Sequence, residues 1–157
     1  MIQRKQTLYL FFAGLIPLVL LFIPIGYLST EMAYYKYTAF AIREATPDQT
    51  FILNTLGNAL LLIATSALSL ITIFLYKKRK TQLNLISLNM LVILLAIFSI
   101  MYVYPKFVFE RNINLTGAVV EYNSTIIIIF ISALGLFLAK KAIAKDEALI
   151  RSADRLR

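Results

Sequence analysis

Four long apolar runs constrain this chain more than any other feature of its sequence. Leu8–Leu28, Phe51–Tyr76 and Leu83–Tyr104 contain no charged residue, and Ala118–Ala139 contains only Glu121. A helix of 21 residues is about 31 Å long, close to the ~30 Å hydrocarbon core of a bilayer. Hydrophobic residues make up 60% of the chain, above the roughly 45–50% of soluble domains. The sequence therefore predicts an all-α membrane protein, a single domain built as a bundle of four transmembrane helices.

A cleaved signal peptide is the competing interpretation of the first run. The apolar region of a signal peptide holds about 7–15 residues and ends close to a small-residue cleavage site. The segment Gly26–Ser29 offers no such site. We therefore expect a retained first span, bent by Pro17 and Pro24.

The chain contains no Cys and no His. Their absence excludes disulfides, thiol nucleophiles, imidazole bases and nearly every transition-metal site. The acidic residues Glu31, Glu44, Asp48, Glu110 and Glu121 match no catalytic or cation-binding motif, and solvated loop charge explains them. We expect no enzymatic activity, no cofactor and no metal, and an enzyme that uses these carboxylates ranks last among the function classes.

Lys and Arg are distributed unevenly between the two ends of the predicted bundle. The end with both termini has 12, namely Arg4, Lys5, Lys77, Lys78, Arg79, Lys80, Lys140, Lys141, Lys145, Arg151, Arg155 and Arg157. The other end has four, namely Lys36, Arg43, Lys106 and Arg111. The positive-inside rule places the basic end and both termini in the cytoplasm.

The basic turn Lys77–Lys80, with Lys140 and Lys141, is interpreted as a set of topology anchors that bind anionic lipid loosely. A specific headgroup or a nucleic acid is the alternative ligand. No aromatic residues for base stacking alternate with the charges, so we expect no nucleic-acid partner.

Small and polar residues form stripes on the second and fourth spans. They are Thr55, Asn58, Thr65, Ser69 and Thr72 on the second span and Thr125, Ser132, Gly135 and Ala139 on the fourth. Spacings of three, four and seven place each set on one helical face, which favours close helix packing and interhelical hydrogen bonds. A permeation path is the alternative, although the runs have no ionisable residue apart from Glu121 near an outer end.

Two regions outside the spans show patterns of their own. Lys140–Arg157 contains neither Gly nor Pro, and its periodicity predicts a cytoplasmic amphipathic helical tail. Lys106–Arg111 alternates in part as a strand does, and it could pair with Tyr34–Ile42 in a small β-like cap built from the two outer loops.

Both ends of the chain carry polar, specific sequence. The distinctive segments are Met1–Leu10, Lys145–Arg157, and the basic turn that leads into Gln82–Asn84 and Leu88–Asn89. In these segments the chain resembles a family of small bacterial four-helix membrane proteins known only as a domain of unknown function. The resemblance covers the whole chain and implies four spans in a bacterial inner membrane, and it implies no activity, cofactor or catalytic residue. The matching terminal residues, which we expect to bind a cytoplasmic partner, are Gln3, Arg4, Gln6, Thr7, Asp146, Glu147, Arg151, Ser152, Asp154 and Arg155.

These observations favour a non-enzymatic accessory or scaffold subunit of a bacterial inner-membrane complex, for example one for protein export or insertion. Its expected partners are the bilayer, anionic lipid at the cytoplasmic face, and other membrane subunits or a second copy. The alternative is a small oligomeric transporter or channel that uses the polar stripe of the second span.

Overall fold

The computed structural model describes residues 3–31, 33–112, 115 and 117–155. Its α-helices are α1 (Gln3–Leu20), α2 (Leu56–Phe74), α3 (Arg79–Phe98) and α4 (Thr125–Arg155), and α3 continues directly as a π-helical segment, Ser99–Phe109. Both α1 and α3 pack against α2 and α4, so the helices form a closed ring, here called the helical body. The end of the helical body with Lys5, Lys77–Lys80 and Lys140–Lys141 is called the basic end.

Among the described residues, three helical stretches are long and apolar enough to cross a membrane: Leu56–Phe74, Arg79–Phe107 and Thr125–Leu149. α1 contributes a shorter apolar stretch, Lys5–Leu20. The predicted first span 8–28 is therefore helical only as far as Leu20. The fourth helix has no break at the predicted boundary after Ala139, and α4 continues through the tail region to Arg155.

Five short strands form one antiparallel sheet at the other end of the helical body, here called the sheet end. They are β1 (Gly26–Ser29), β2 (Tyr34–Tyr37), β3 (Ala41–Glu44), β4 (Phe51–Asn54) and β5 (Val119–Tyr122), in the order β4-β3-β2-β1-β5. The first four strands follow one another along the chain, and β5 joins from the distant segment before α4. Gly26 allows this pairing, since a Cβ on it would lie 2.6 Å from the Glu121 carbonyl oxygen.

The all-α prediction is wrong because of this sheet. β4 and β5 lie within the predicted spans 51–76 and 118–139, and β1 overlaps the end of the predicted span 8–28. A short uncharged apolar run is compatible with a buried strand as well as with a helix, so hydropathy alone does not separate the two. Pro24 lacks the amide hydrogen that a continuing helix needs, which favours the end of α1 before it.

The predicted strand at 106–111 is also wrong, since the π-helical segment runs to Phe109. Aromatic packing holds this segment against the sheet: the Phe109 ring centroid lies 5.4 Å from that of Tyr37, edge to face, and the Tyr104 centroid lies 6.5 Å from that of Tyr37. The strand that pairs with β1 is β5 instead, with Gly26 opposite Tyr122.

Two threonines bond the sheet end to the helical body. The Thr55 hydroxyl, directly before α2, donates to the Thr38 carbonyl oxygen at 2.9 Å. The Thr125 hydroxyl, at the start of α4, donates to the Pro24 carbonyl oxygen at 3.0 Å. Buried residues of the inner sheet face, among them Leu28, Tyr37 and Ile42, join the core of the helical body.

Candidate functional site

A buried polar contact joins three helices at the basic end. The Gln6 amide on α1 donates to the Asp146 carboxylate on α4, and Arg79 of α3 donates to the Gln6 side-chain oxygen at 3.0 Å. Gln6 and Asp146 are both buried, at 3% and 9% exposure. Two residues predicted to bind a partner are therefore already engaged with each other, and they fasten the extension of α4 to α1.

The other predicted terminal residues differ in how far they are exposed. Thr7 and Ser152 are exposed, and Glu147 is half-buried one position after Asp146. The Ser152 hydroxyl donates to the Leu149 carbonyl oxygen of its own helix at 2.8 Å. The side chains of Gln3, Arg4, Arg151, Asp154 and Arg155 lie outside the described part of the structure, although their backbones are helical.

The predicted anchors lie where α2 turns into α3 and where α4 passes the basic end. Lys77, Lys78 and Lys80 are exposed, as is Lys141, while Arg79 and Lys140 are half-buried. The Lys77 ammonium lies 5.9 Å from the Tyr76 ring centroid. Arg79 differs from its neighbours because it reaches inward to Gln6.

The predicted stripes face the interior of the helical body. Every stripe residue is buried except Gly135, which is half-buried. The second and fourth helices each donate a hydroxyl to α1: Ser66 to the Gly14 carbonyl oxygen at 2.8 Å and Ser132 to that of Ala13 at 2.7 Å. Ser66 was not included in the predicted stripe of the second span, although it is buried next to Thr65 on α2.

The stripe of α2 also bonds to α3. The Asn89 amide donates to the Ser69 hydroxyl at 2.8 Å and to the Thr65 carbonyl oxygen at 3.2 Å, and the Gln82 amide donates to the Thr72 carbonyl oxygen at 3.1 Å. The side-chain oxygens of Gln82 and Asn89 are buried with no hydrogen-bond partner among the described residues. From the sequence, both residues were noted only for the family resemblance and not as packing residues, although their spacing of seven places them on one helical face.

A second polar network lies beneath the sheet. The Asn58 amide donates to the Tyr37 hydroxyl at 2.6 Å, and the Asn58 side-chain oxygen accepts from the Ser99 hydroxyl at 2.7 Å. Tyr37 and Asn58 are fully buried. Burial raises the pKa of the Tyr37 phenol, so this group stays neutral. The network connects β2, α2 and the first residue of the π-helical segment, and only Asn58 was predicted from the sequence.

The outer face of the sheet presents an exposed row of side chains that crosses all five strands. The strand register places Glu121 opposite Tyr27, Tyr27 opposite Lys36, Lys36 opposite Arg43, and Arg43 opposite Phe51. All five residues are exposed. Two cations therefore lie side by side between two aromatic rings, with a carboxylate at one end of the row.

Cavities lie both inside the protein and on its surface. A small apolar cavity inside the sheet end, lined partly by Leu62, Ile100 and Ile129, holds about 10 Å³, the space of roughly one water molecule. An apolar groove of about 260 Å³ lies on the outside between α1 and α4, and a partly polar cleft of about 320 Å³ includes Lys106 and Glu110. No group of three or more His, Cys, Asp or Glu side chains that could hold a metal comes together among the described residues.

The profile of the family described as "Domain of unknown function (DUF4293)" matches residues 2–156. The chain belongs to this family. The match confirms the resemblance drawn from the two ends of the sequence. No curated protein matches the chain in sequence.

In this DUF4293 member the interior and the surface differ in what they offer a ligand. The polar side chains of the helical body, such as Asn58, Asn89 and Gln6, bond one another or helix carbonyl oxygens. Surfaces that remain open among the described residues include the sheet's outer face, the α1/α4 groove, the cleft with Lys106 and Glu110, and the exposed lysines of the basic end.

Proposed function

We propose that this protein is a non-catalytic accessory or scaffold subunit of the bacterial inner membrane, with the basic end and both termini in the cytoplasm and the sheet outside. The observation that carries the proposal is the apolar outside of the helical body. Large apolar side chains cover it, for example Phe11, Leu60, Leu91 and Phe137, while buried asparagine, serine and threonine side chains share the interior with apolar ones. Contiguous apolar surface of this extent is unfavourable in water and matches the hydrocarbon of a bilayer.

The short first helix is compatible with a fourth crossing. Leu8–Leu20 covers about 20 Å at 1.5 Å per residue, less than the ~30 Å core. The apolar segment Leu21–Ile25 extends it without helix, and such backbone at membrane depth must be hydrogen-bonded within the protein. Thr125 donates to the Pro24 carbonyl oxygen, and the Ile25 amide donates to the Tyr37 carbonyl oxygen at 2.8 Å.

The accessory role is supported by the surface that remains for a partner. The exposed row on the sheet combines Lys36 and Arg43 with the rings of Tyr27 and Phe51. Aromatic residues and arginine are enriched at protein interfaces relative to the rest of the surface. We assign this face to an extracytoplasmic segment of another membrane subunit. Binding of a cytoplasmic partner at the basic end remains a proposal that rests on the exposure of residues there, such as Ser152.

The orientation can be tested with single cysteines, because the chain has none. In intact cells with a permeabilised outer membrane, a membrane-impermeant maleimide should label Asp48→Cys and should label Ser152→Cys only after lysis. Both positions are exposed. The reverse pattern of labelling would show that the proposed orientation is wrong.

The accessory role is tested by photocrosslinking in native membranes. A photoreactive residue at Tyr34 or Phe51, both on the exposed sheet, should give one discrete crosslinked protein, recovered with the tagged chain in mild detergent. The same residue at Leu94, on the apolar outside of α3, serves as the control and should give no such product. Recovery of the chain alone, at monomer size and without crosslinks from the sheet, would refute the role.

A further inference from the structure

The groove between α1 and α4 is an apolar depression on the outside of the helical body. The two helices come close at Gly135, where an added Cβ would lie 3.4 Å from the Ala13 Cβ. Larger side chains of both helices form the walls, including Phe12 on α1 and Leu134 on α4. The result is a groove of about 260 Å³ with an almost wholly apolar lining.

The lining of the groove suits a hydrocarbon chain, because it offers a ligand almost no polar surface. In a bilayer, a flexible acyl chain can lie along the groove between its two walls without leaving a polar group unpaired.

Positive charge lies at the basic end of the groove. Lys5 precedes the groove residue Tyr9 by four positions, and Lys141 follows the groove residue Leu138 by three. Residues three or four apart are neighbours on one helical face, so these lysines continue the two walls. Both are exposed. An ammonium on each side of the groove's end is complementary to a phosphate.

We propose that the groove is a binding site for an anionic phospholipid, with one acyl chain between α1 and α4 and the phosphate held by Lys5 and Lys141. The inference goes beyond the scaffold role and rests on the proposed membrane location. It differs from loose attraction of lipid to the basic turn because it requires a particular position on the outside of the protein.

The test uses the absence of tryptophan in the chain. Leu134→Trp places a fluorophore in the groove wall, and Leu94→Trp places a matched one on α3, where leucine has a similar exposure, 58% against 55%. Each full-length variant is reconstituted in phosphatidylcholine vesicles that contain brominated phosphatidylglycerol or brominated phosphatidylcholine. We expect quenching at Leu134→Trp to prefer the anionic lipid by roughly fivefold, the effect of about one well-placed lysine, with no preference at Leu94→Trp.

Charge variants connect the preference to the two lysines. Combining Lys5→Ala and Lys141→Ala should remove the preference at Leu134→Trp. Combining Lys77→Ala and Lys78→Ala removes the same charge from the α2–α3 turn and should leave the preference unchanged. An equal loss in both pairs would overturn the site in favour of general surface charge.

The remaining outcomes separate this site from the membrane location itself. Equal lipid preference at the two tryptophans overturns the site and leaves the membrane location standing. Quenching at Leu94→Trp with none at Leu134→Trp means that protein covers the groove, which also overturns it. No quenching at either position refutes the membrane location, and the lipid site with it.

Discussion

Replacement of Asn58 by alanine should destabilise the protein by about 2–4 kcal/mol. The substitution removes the bond to the Tyr37 hydroxyl at 2.6 Å and the bond from the Ser99 hydroxyl at 2.7 Å. A buried polar group without a partner costs about 1–3 kcal/mol, and Tyr37 is fully buried. Ser99 is half-buried and can turn to a carbonyl oxygen of its own helix, so its loss is smaller. The vacated volume adds about 1 kcal/mol.

A double-mutant cycle separates the hydrogen bond from the cavity. In a Tyr37→Phe background the Asn58→Ala substitution no longer leaves a buried phenol unpaired, so it should cost about 1–2 kcal/mol less than in the native chain. The free energy of unfolding is measured by SDS titration in mixed micelles, with circular dichroism as the signal. Ser87→Ala is the control, because its exposed hydroxyl bonds only to the Leu83 carbonyl oxygen. Additive effects of the two substitutions would refute the network.

Three further predictions concern packing, the α4 extension and pH. Gly14→Ala should lower the free energy of unfolding by about 1–3 kcal/mol through overpacking, since the added Cβ would lie 2.8 Å from the Ser69 Cβ. Gly135→Ala is the control: its Cβ would lie 3.4 Å from the nearest side-chain atom, and it should cost less in the same SDS titration. Asp146→Ala should speed hydrogen exchange in residues 140–155 and leave α2 unchanged, because it breaks the contact to α1. Burial raises the pKa of Tyr37 above its ordinary value of 10.0. The free energy of unfolding should therefore be independent of this group below pH 10 and fall above pH 10 by up to about 1.4 kcal/mol per pH unit. Tyr37→Phe should reduce that fall.

The helical faces could be predicted from the sequence because their signal is local. Residues three, four and seven apart lie on one face whatever the helix packs against. The same rule identifies Thr65, Ser69 and Thr72 from the printed sequence, and the structure buries all three. The contact between Gln6 and Asp146 has no local signal, since the two residues are 140 positions apart. The sequence shows that both chain ends are polar, but it does not show which residues of the two ends bond to each other.

Of the five strands, only one in the region Tyr34–Ile42 was expected from the sequence, and β2 lies there. β1 and β4 could not be predicted, because they are four uncharged residues each and overlap predicted spans. Gly26–Ser29 carries no alternation that separates it from the end of a transmembrane helix. Its pairing with Val119–Tyr122 depends on a contact across most of the chain. The exposed row from Glu121 to Phe51 follows from that register, and so the surface assigned to a partner was inaccessible to sequence reasoning.

The polar bonds of the helical body take on a particular meaning if a bilayer surrounds it. Lipid tails are as apolar as leucine, so helices in a membrane associate through packing and hydrogen bonds rather than through the hydrophobic effect. In this chain such bonds occur at three levels: Gln6 with Asp146 at the basic end, Ser66 and Ser132 with α1 in the middle, and Asn58 with Tyr37 beneath the sheet. These buried polar groups thereby hold the ring of helices together. Under the proposed accessory role a partner would be recognised on the surface instead, and the outer face of the sheet is one polar surface that the fold leaves open for it.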